Sequence, residues 1–314
     1  IQCVTIEWRV DCVIKVLLVE ASEIDARQAR EMLAEAGEGD IRVTHVGNLS
    51  AALRLLTRES FDVILLYGDL IETHGLNVLD LLQAALARMP IVMLTDHKDS
   101  KKERQAMQRG IQDVIVKQHW TAEQLVRAVR HSVVRKQAEQ HLSYLAQNDP
   151  LTALANRALF RDRLIHALAL AKRKKQEVGL VLLGLDQFIS LAETLGADGC
   201  DVVIKETAER LKKCMREVDT VARLEGDEFT CLLEGINCRA DMEIVAKRVL
   251  DSMAKPFVVS GEQVMVTASI GVAVYPVDGR EADELLQRVQ GALNAVQEAG
   301  GANYQFPASR PDKT

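Results

Sequence analysis

The chain has 314 residues, 48% hydrophobic and 27% charged, an ordinary globular balance with room for two domains of roughly 150 residues each. A formal net charge of −6 and only 4% aromatics argue against nucleic-acid binding, which needs surface cations and, for single strands, stacking rings. No apolar run nears the ~18 residues of a membrane span, no leader is legible, and six cysteines without a CxxC pair read as buried, reduced thiols of a soluble cytoplasmic protein.

Residues 1–12 alternate at Ile6, Trp8 and Val10 as a strand does, but the pattern assigns them no role. Residues 13–19 form an apolar run broken only by Lys15, and residues 24–36 follow with helical spacing. Strand patterns at 41–46, 61–67, 91–95 and 113–116 alternate with helical patterns at 51–56, 77–87 and 100–109. Continuous apolar strands separated by helices predict a parallel sheet covered on both faces. Five such units predict a flavodoxin-like, doubly wound α/β domain over 13–135, with its working site beyond the carboxyl ends of the strands.

Residues 121–148 contain neither Gly nor Pro and carry one apolar stripe through Val126, Val129, Val133, Ala138, Leu142 and Leu145. The segment runs beyond one domain's needs, so it predicts a connecting, coiled-coil-like helix and a homodimer. The second half opens at Asp149-Pro150-Leu151-Thr152, where Asp149 or Thr152 is expected to cap the next helix. Strands are expected at 179–183 and 264–275, a hairpin at 218–224 and 229–233, and helices at 202–215, 241–253 and 282–298. That order predicts an α+β domain with a ferredoxin-like core over 149–308.

Over 13–135 the chain resembles response-regulator receiver domains, through Val16-Leu17-Leu18-Val19-Glu20, Phe61-Asp62-Val63-Ile64-Leu65-Leu66-Tyr67, Thr73-His74-Gly75-Leu76, Ile91-Val92-Met93-Leu94-Thr95 and Val114-Ile115-Val116-Lys117. The resemblance implies a phosphorylated strand-end aspartate, Mg²⁺ held by acids after the first strand, and a hydroxyl and a lysine that read the phosphate. Glu20, Thr95 and Lys117 match, but the second acid falls on Ala21 and the acceptor on Tyr67. A phenol and a methyl supply neither a carboxylate nucleophile nor a hard oxygen ligand. Asp69 lies past the strand end, in the loop. A receiver blind to phosphorylation is expected, with the Tyr67 ring filling the acidic pocket.

Over 149–308 the chain resembles the GGDEF family, which makes cyclic di-GMP from two GTP. The matching text is Asp149 to Arg157 (with Ala153 where glycine is usual), Arg223-Leu224-Glu225-Gly226-Asp227-Glu228-Phe229, and Thr267-Ala268-Ser269-Ile270-Gly271-Val272-Ala273. The resemblance implies Mg²⁺ held by two carboxylates, one at the first strand's end and one in the hairpin signature. Asp227 and Glu228 supply the hairpin acids and Gly226 the turn, but the strand end falls on Gly184, with Asp186 two residues on as a substitute ligand. The base-contacting positions fall on Ala192 and Asp201, and the phosphate-holding lysine falls on Gln297. Losses at metal, base and phosphate together predict little or no turnover.

Arg216-Glu217-Val218-Asp219 stands six residues ahead of Glu225. In the family this Arg-x-x-Asp spacing marks an inhibitory site for cyclic di-GMP; otherwise it is an exposed helix-end ion pair. Two readings follow. One is a non-catalytic cyclic di-GMP regulator that binds the dinucleotide at Arg216 and Asp219, or a protein partner. The other is a weakly active diguanylate cyclase that takes GTP and Mg²⁺ at Asp186 and Asp227, with Glu228 as the catalytic remnant.

Overall fold

A computed structural model describes residues 13–68, 82, 89–96, 99–236 and 238–308. Apart from Leu82 the expected 77–87 helix lies outside the described residues, as do Asp69, Cys3 and Cys12. The chain divides into two compact units at His141 and Leu142.

In the first unit β1 (Ile14–Val19), β2 (Ile41–Val46), β3 (Val63–Tyr67), β4 (Ile91–Thr95) and β5 (Asp113–Val116) form one sheet in the order β2-β1-β3-β4-β5. Every neighbouring pair is parallel. The flavodoxin-like α/β fold is therefore present. Between the strands run α1 (Glu23–Ala36), α2 (Leu49–Leu56) and α3 (Ser100–Gln108). The strands read as unbroken apolar runs because both faces are covered. Val16, Leu18, Val63, Leu65 and Tyr67 face one core, with Leu33, Val129 and Val133, while Leu17, Val19, Ile64 and Leu66 face the other.

The long helix α4 spans Ala122–Gln147. Its stripe has two fates. Leu125, Val126, Val129 and Val133 are buried in the first unit's core, whereas Leu142 is 67% exposed and Val134 and Leu145 are also exposed.

The second unit begins with α5 (Arg157–Lys174), whose N-cap is Asn156, its side chain accepting from Leu159 N–H. The cap expected at Asp149 or Thr152 is thus displaced. Asp149 instead ties down the preceding turn by accepting from Thr152. There follow β6 (Glu177–Leu185), α6 (Phe188–Cys214), β7 (Thr220–Glu225), β8 (Glu228–Ile236), α7 (Arg239–Met253), β9 (Phe257–Val259), β10 (Glu262–Val264), β11 (Ala268–Tyr275), α8 (Ala282–Glu298) and β12 (Tyr304–Gln305). The main sheet is ordered β12-β11-β6-β8-β7, and β11-β6-β8-β7 pair antiparallel, the ferredoxin-like arrangement expected.

Three local expectations are corrected. The helix begins at Phe188, well before 202, and bends at Gly196, whose φ of 69° lies outside the helical region. The strand drawn over 264–275 is two: β10 pairs with β9 across Ser260-Gly261, both at positive φ, as a tight hairpin turn requires. Cys238 is exposed, while Cys200, Cys214 and Cys231 are buried.

β6 is the strand that positions the site. Val181, Leu183 and Leu185 face the core with α6 and α7, whereas Leu180 and Leu182 face the core with α5 and α8. By alternation Gly184 looks toward α8. That helix lies hard against the sheet, because a Cβ on Gly271 of β11 would come 2.2 Å from the Val289 carbonyl oxygen.

Candidate functional site

At the carboxyl end of the receiver sheet, Tyr67 is 1% exposed and its hydroxyl donates to the Asp25 carbonyl at 3.3 Å. Lys117 lies over the ring, 4.0 Å from its centroid. Its ammonium also reaches Asp25 at 3.1 Å and Asp96 at 2.9 Å. Burial works against the Lys117 charge, but the two carboxylates prevail and raise its pKa above the ordinary lysine value. Glu20 is buried at the end of β1, accepting from Ser22 N–H at 2.5 Å. The expected residues Glu20, Tyr67 and Lys117 line these strand ends, with Thr95 closing β4. Asp25 and Asp96 join them. Sequence reasoning passed over Asp25 because it sits in the first turn of α1, beyond the strand-end acids.

In the second unit the entry turn and the signature hairpin are clamped together. Arg223 Nη1 donates to both Asp149 oxygens, at 3.1 and 3.2 Å, and Nε donates to the Gly226 carbonyl at 2.9 Å. Asp149 also accepts from the Thr152 hydroxyl at 2.7 Å. Burial pushes the Asp149 carboxyl upward, but Thr152 and Arg223 outweigh it and hold the value below the usual range. The turn costs something locally: Ala153 sits at φ 56°, a conformation that favours glycine.

Beside the hairpin, Gly184 pairs with Glu228 on one side and Ser269 on the other. Gly184 carries no side-chain ligand, and Glu228 accepts from Gln290 of α8 at 3.2 Å. Asp186 is turned into the protein. It accepts from the Thr267 hydroxyl at 2.7 Å, the Ser269 hydroxyl at 2.6 Å and the Ala302 N–H at 3.0 Å. Gly301 is at φ 78°, and a Cβ there would strike the Asp186 carboxylate at 2.8 Å. Asp227 is half-buried; burial raises its pKa, opposed by backbone amides including that of Leu185 and by Arg223. Asp201 and Ala192 are both exposed on α6.

This donor set does not fit Mg²⁺, which demands several hard oxygens in near-octahedral array. Asp227 and Glu228 reach the end of β6, Glu228 accepting from Gln290, while Asp186 is committed to three protein donors. Among the described residues no group of three or more His, Cys, Asp or Glu is placed to hold a metal ion.

Farther along the sheet, Asp219 accepts from Arg216 N–H at 2.8 Å, closing the turn between α6 and β7. Both residues line a cavity of about 180 Å³ with Glu234, Asp241, Ile244 and Arg248. Arg248, a second guanidinium in the same wall, comes from α7 and is invisible to the local spacing of the motif. The volume falls below the ~300–1,000 Å³ of a typical small-molecule pocket.

The family model described as Diguanylate cyclase, GGDEF domain matches residues 146–303, and that of the Response regulator receiver domain matches 16–130. The chain belongs to the GGDEF diguanylate cyclase family of cyclic di-GMP signalling proteins, with a receiver domain ahead of its GGDEF domain. It is 37% identical over 136 residues to Diguanylate cyclase TpbB of Pseudomonas aeruginosa, covering 43% of this chain and 31% of that protein. It is 35% identical over 169 residues to Bifunctional diguanylate cyclase/cyclic di-GMP phosphodiesterase MucR of the same organism, covering 54% of this chain and 24% of that one. Against Cyclic di-GMP phosphodiesterase NbdA, also from Pseudomonas aeruginosa, identity is 33% over 54% of this chain, which spans only 22% of that protein. The GGDEF domain of TpbB from Pseudomonas aeruginosa, as a solved structure, is similar with a TM-score of 0.51 and 31% identity, over 51% of this chain and 94% of that one. Among the described residues no helix is long and apolar enough to cross a membrane.

Proposed function

We propose that this chain is a non-catalytic cyclic di-GMP regulator. Its receiver takes no phosphoryl group, its GGDEF domain makes no cyclic di-GMP, and its ligand is cyclic di-GMP held at Arg216 and Asp219. The observation that carries the reading is the state of Asp186. The one acid available to replace a ligand at Gly184 is spent on Thr267, Ser269 and Ala302. The same geometry disfavours the alternative of a weak cyclase using Asp186 and Asp227.

Two guanidiniums, Arg216 and Arg248, line the cavity with three carboxylates, Asp219, Glu234 and Asp241, and the Arg216–Asp219 pair offers both kinds of partner the ligand needs. Arginine donates to guanine's acceptor edge and to phosphate, and carboxylate accepts from guanine N–H groups. The exposed Val134, Leu142 and Leu145 of α4 are the proposed seam of a homodimer.

Calorimetric titration with cyclic di-GMP tests the ligand. Arg216→Ala is expected to weaken binding tenfold to a hundredfold, the equivalent of about 1.5–3 kcal/mol for a lost charged hydrogen bond. Asp227→Ala should stay within about threefold, since the two sites are separate. Equal losses would place the ligand in the substrate cleft. Absence of binding by the parent chain would remove cyclic di-GMP from the account and leave a protein partner.

A further inference from the structure

We propose that Gln297 closes the cation seat of the GGDEF cleft from within, and that Gly184 and Gln297 form one unit whose two halves act together. This rests on the non-catalytic reading and gives it a physical cause. Neither residue alone then decides whether a divalent ion enters.

The geometry is a row of side-chain positions covered by one helix face. Across the sheet, Ser269, Gly184 and Glu228 stand side by side on neighbouring strands. Above them α8 presents Gln290, Leu293 and Gln297, spaced three and four residues apart and so on one face. Gln290 donates to Glu228. A Cβ built on Gly184 would meet Gln297 Nε2 at 3.0 Å and Leu293 Cδ2 at 3.6 Å.

The helix has no room to move closer, since β11 and α8 touch through Gly271. A methyl at 184 therefore requires the flexible end of Gln297 to give by a few tenths of an ångström. A carboxylate at 184 needs the volume that the Gln297 amide fills. The amide is neutral and brings no full negative charge to the seat, whereas Mg²⁺ and Mn²⁺ favour hard anionic oxygens. With Asp186 turned toward Thr267 and Ser269, the acids left beside the end of β6 among the described residues are Asp227 and Glu228, and Glu228 already accepts from Gln290. Restoring an acid at 184 without removing Gln297 thus puts the acid against an amide and a leucine.

The test uses Mn²⁺ as the probe, titrated into the full chain and followed by the electron paramagnetic resonance of the free ion. The signal counted is binding abolished by Asp227→Ala. Four proteins are compared: the parent, Gly184→Asp, Gln297→Ala and the double variant. The parent and Gln297→Ala should bind none at this site, and the double variant should bind at least tenfold more tightly than Gly184→Asp. Equal behaviour of Gly184→Asp and the double variant, both binding or neither, overturns the proposal, as does binding by the parent.

A milder pair guards against variants that fail to fold. Gly184→Ala should lower the melting temperature while Gln297 is present, and lower it measurably less in the Gln297→Ala background. Strictly additive shifts overturn the proposal. Cyclic di-GMP synthesis by the parent would instead defeat the non-catalytic reading, and would leave the melting-temperature coupling intact.

Discussion

The two strand ends of this molecule make an instructive pair. Each is the place where phosphate chemistry is expected from the resemblance, and each carries a residue other than the expected aspartate. In the receiver the replacement is larger: Tyr67 fills the space, and Lys117 remains, stacked on the ring and paired with Asp25 and Asp96. In the GGDEF domain the replacement is smaller: Gly184 leaves space, and a neighbouring helix supplies Gln297, whose amide nitrogen lies 3.0 Å from where a Cβ would stand. A ring that fills a pocket becomes part of the core and contributes stability. A glycine contributes none, so its surroundings must collapse onto it. The first site is closed by its own side chain and the second by a neighbour's.

That contrast predicts its own largest effect. Tyr67→Ala should destabilise the receiver by about 3–5 kcal/mol, the usual range for removing a buried ring, measured as a shift of the receiver's urea transition. A loss below about 1 kcal/mol would show that the ring is not a core element.

The clamp beside the second site comes next. Asp149→Ala strands Arg223, whose side chain is 15% exposed. Breaking a fully buried pair costs 3–5 kcal/mol, so this partly solvated one should cost about 2 kcal/mol in the GGDEF transition. The pH dependence follows from the lowered Asp149 value. A depressed carboxyl stabilises fully above its unfolded value of about 3.9 and loses that contribution as pH falls through the lower folded value. The deficit of Asp149→Ala should therefore be constant from pH 5 to 7 and shrink only below about pH 3.9. A deficit that fades between pH 7 and 5 would place its origin in another group.

The smallest expected effect is zero. Beryllofluoride with Mg²⁺, which mimics an aspartyl phosphate, should leave the backbone amide resonances of Thr95 and Lys117 unmoved, because position 67 offers a phenol and position 21 a methyl. Shifts at those residues would contradict this and reveal an acceptor within their reach.

Much of the architecture was legible because burial on two faces writes itself as continuous apolar strands. The parallel sheet followed from 13–19, 61–67 and 91–95, and the ferredoxin-like order from the hairpin around Gly226. The Ser260-Gly261 turn is hidden in the text because apolar Val264, the last residue of β10, runs on toward the strand that begins at Ala268. The helix at Phe188 was missed because Gly196 interrupts its pattern at the bend. At the sites, local text identified Glu20, Tyr67, Lys117, Gly184 and Gln297 one by one. It carried no sign that Asp25 pairs with Lys117, that Arg248 shares a cavity with Arg216, or that Asp186 turns inward. Those are contacts between elements distant in the chain, and no periodicity encodes them.

The central claim is that the GGDEF cleft performs no phosphoryl transfer. Incubation of the full chain with GTP and Mg²⁺, followed by chromatographic separation of the nucleotides, tests it most directly. The account predicts that GTP is recovered and no cyclic di-GMP forms, even at high protein concentration. Formation of cyclic di-GMP that disappears in Asp227→Ala would contradict it.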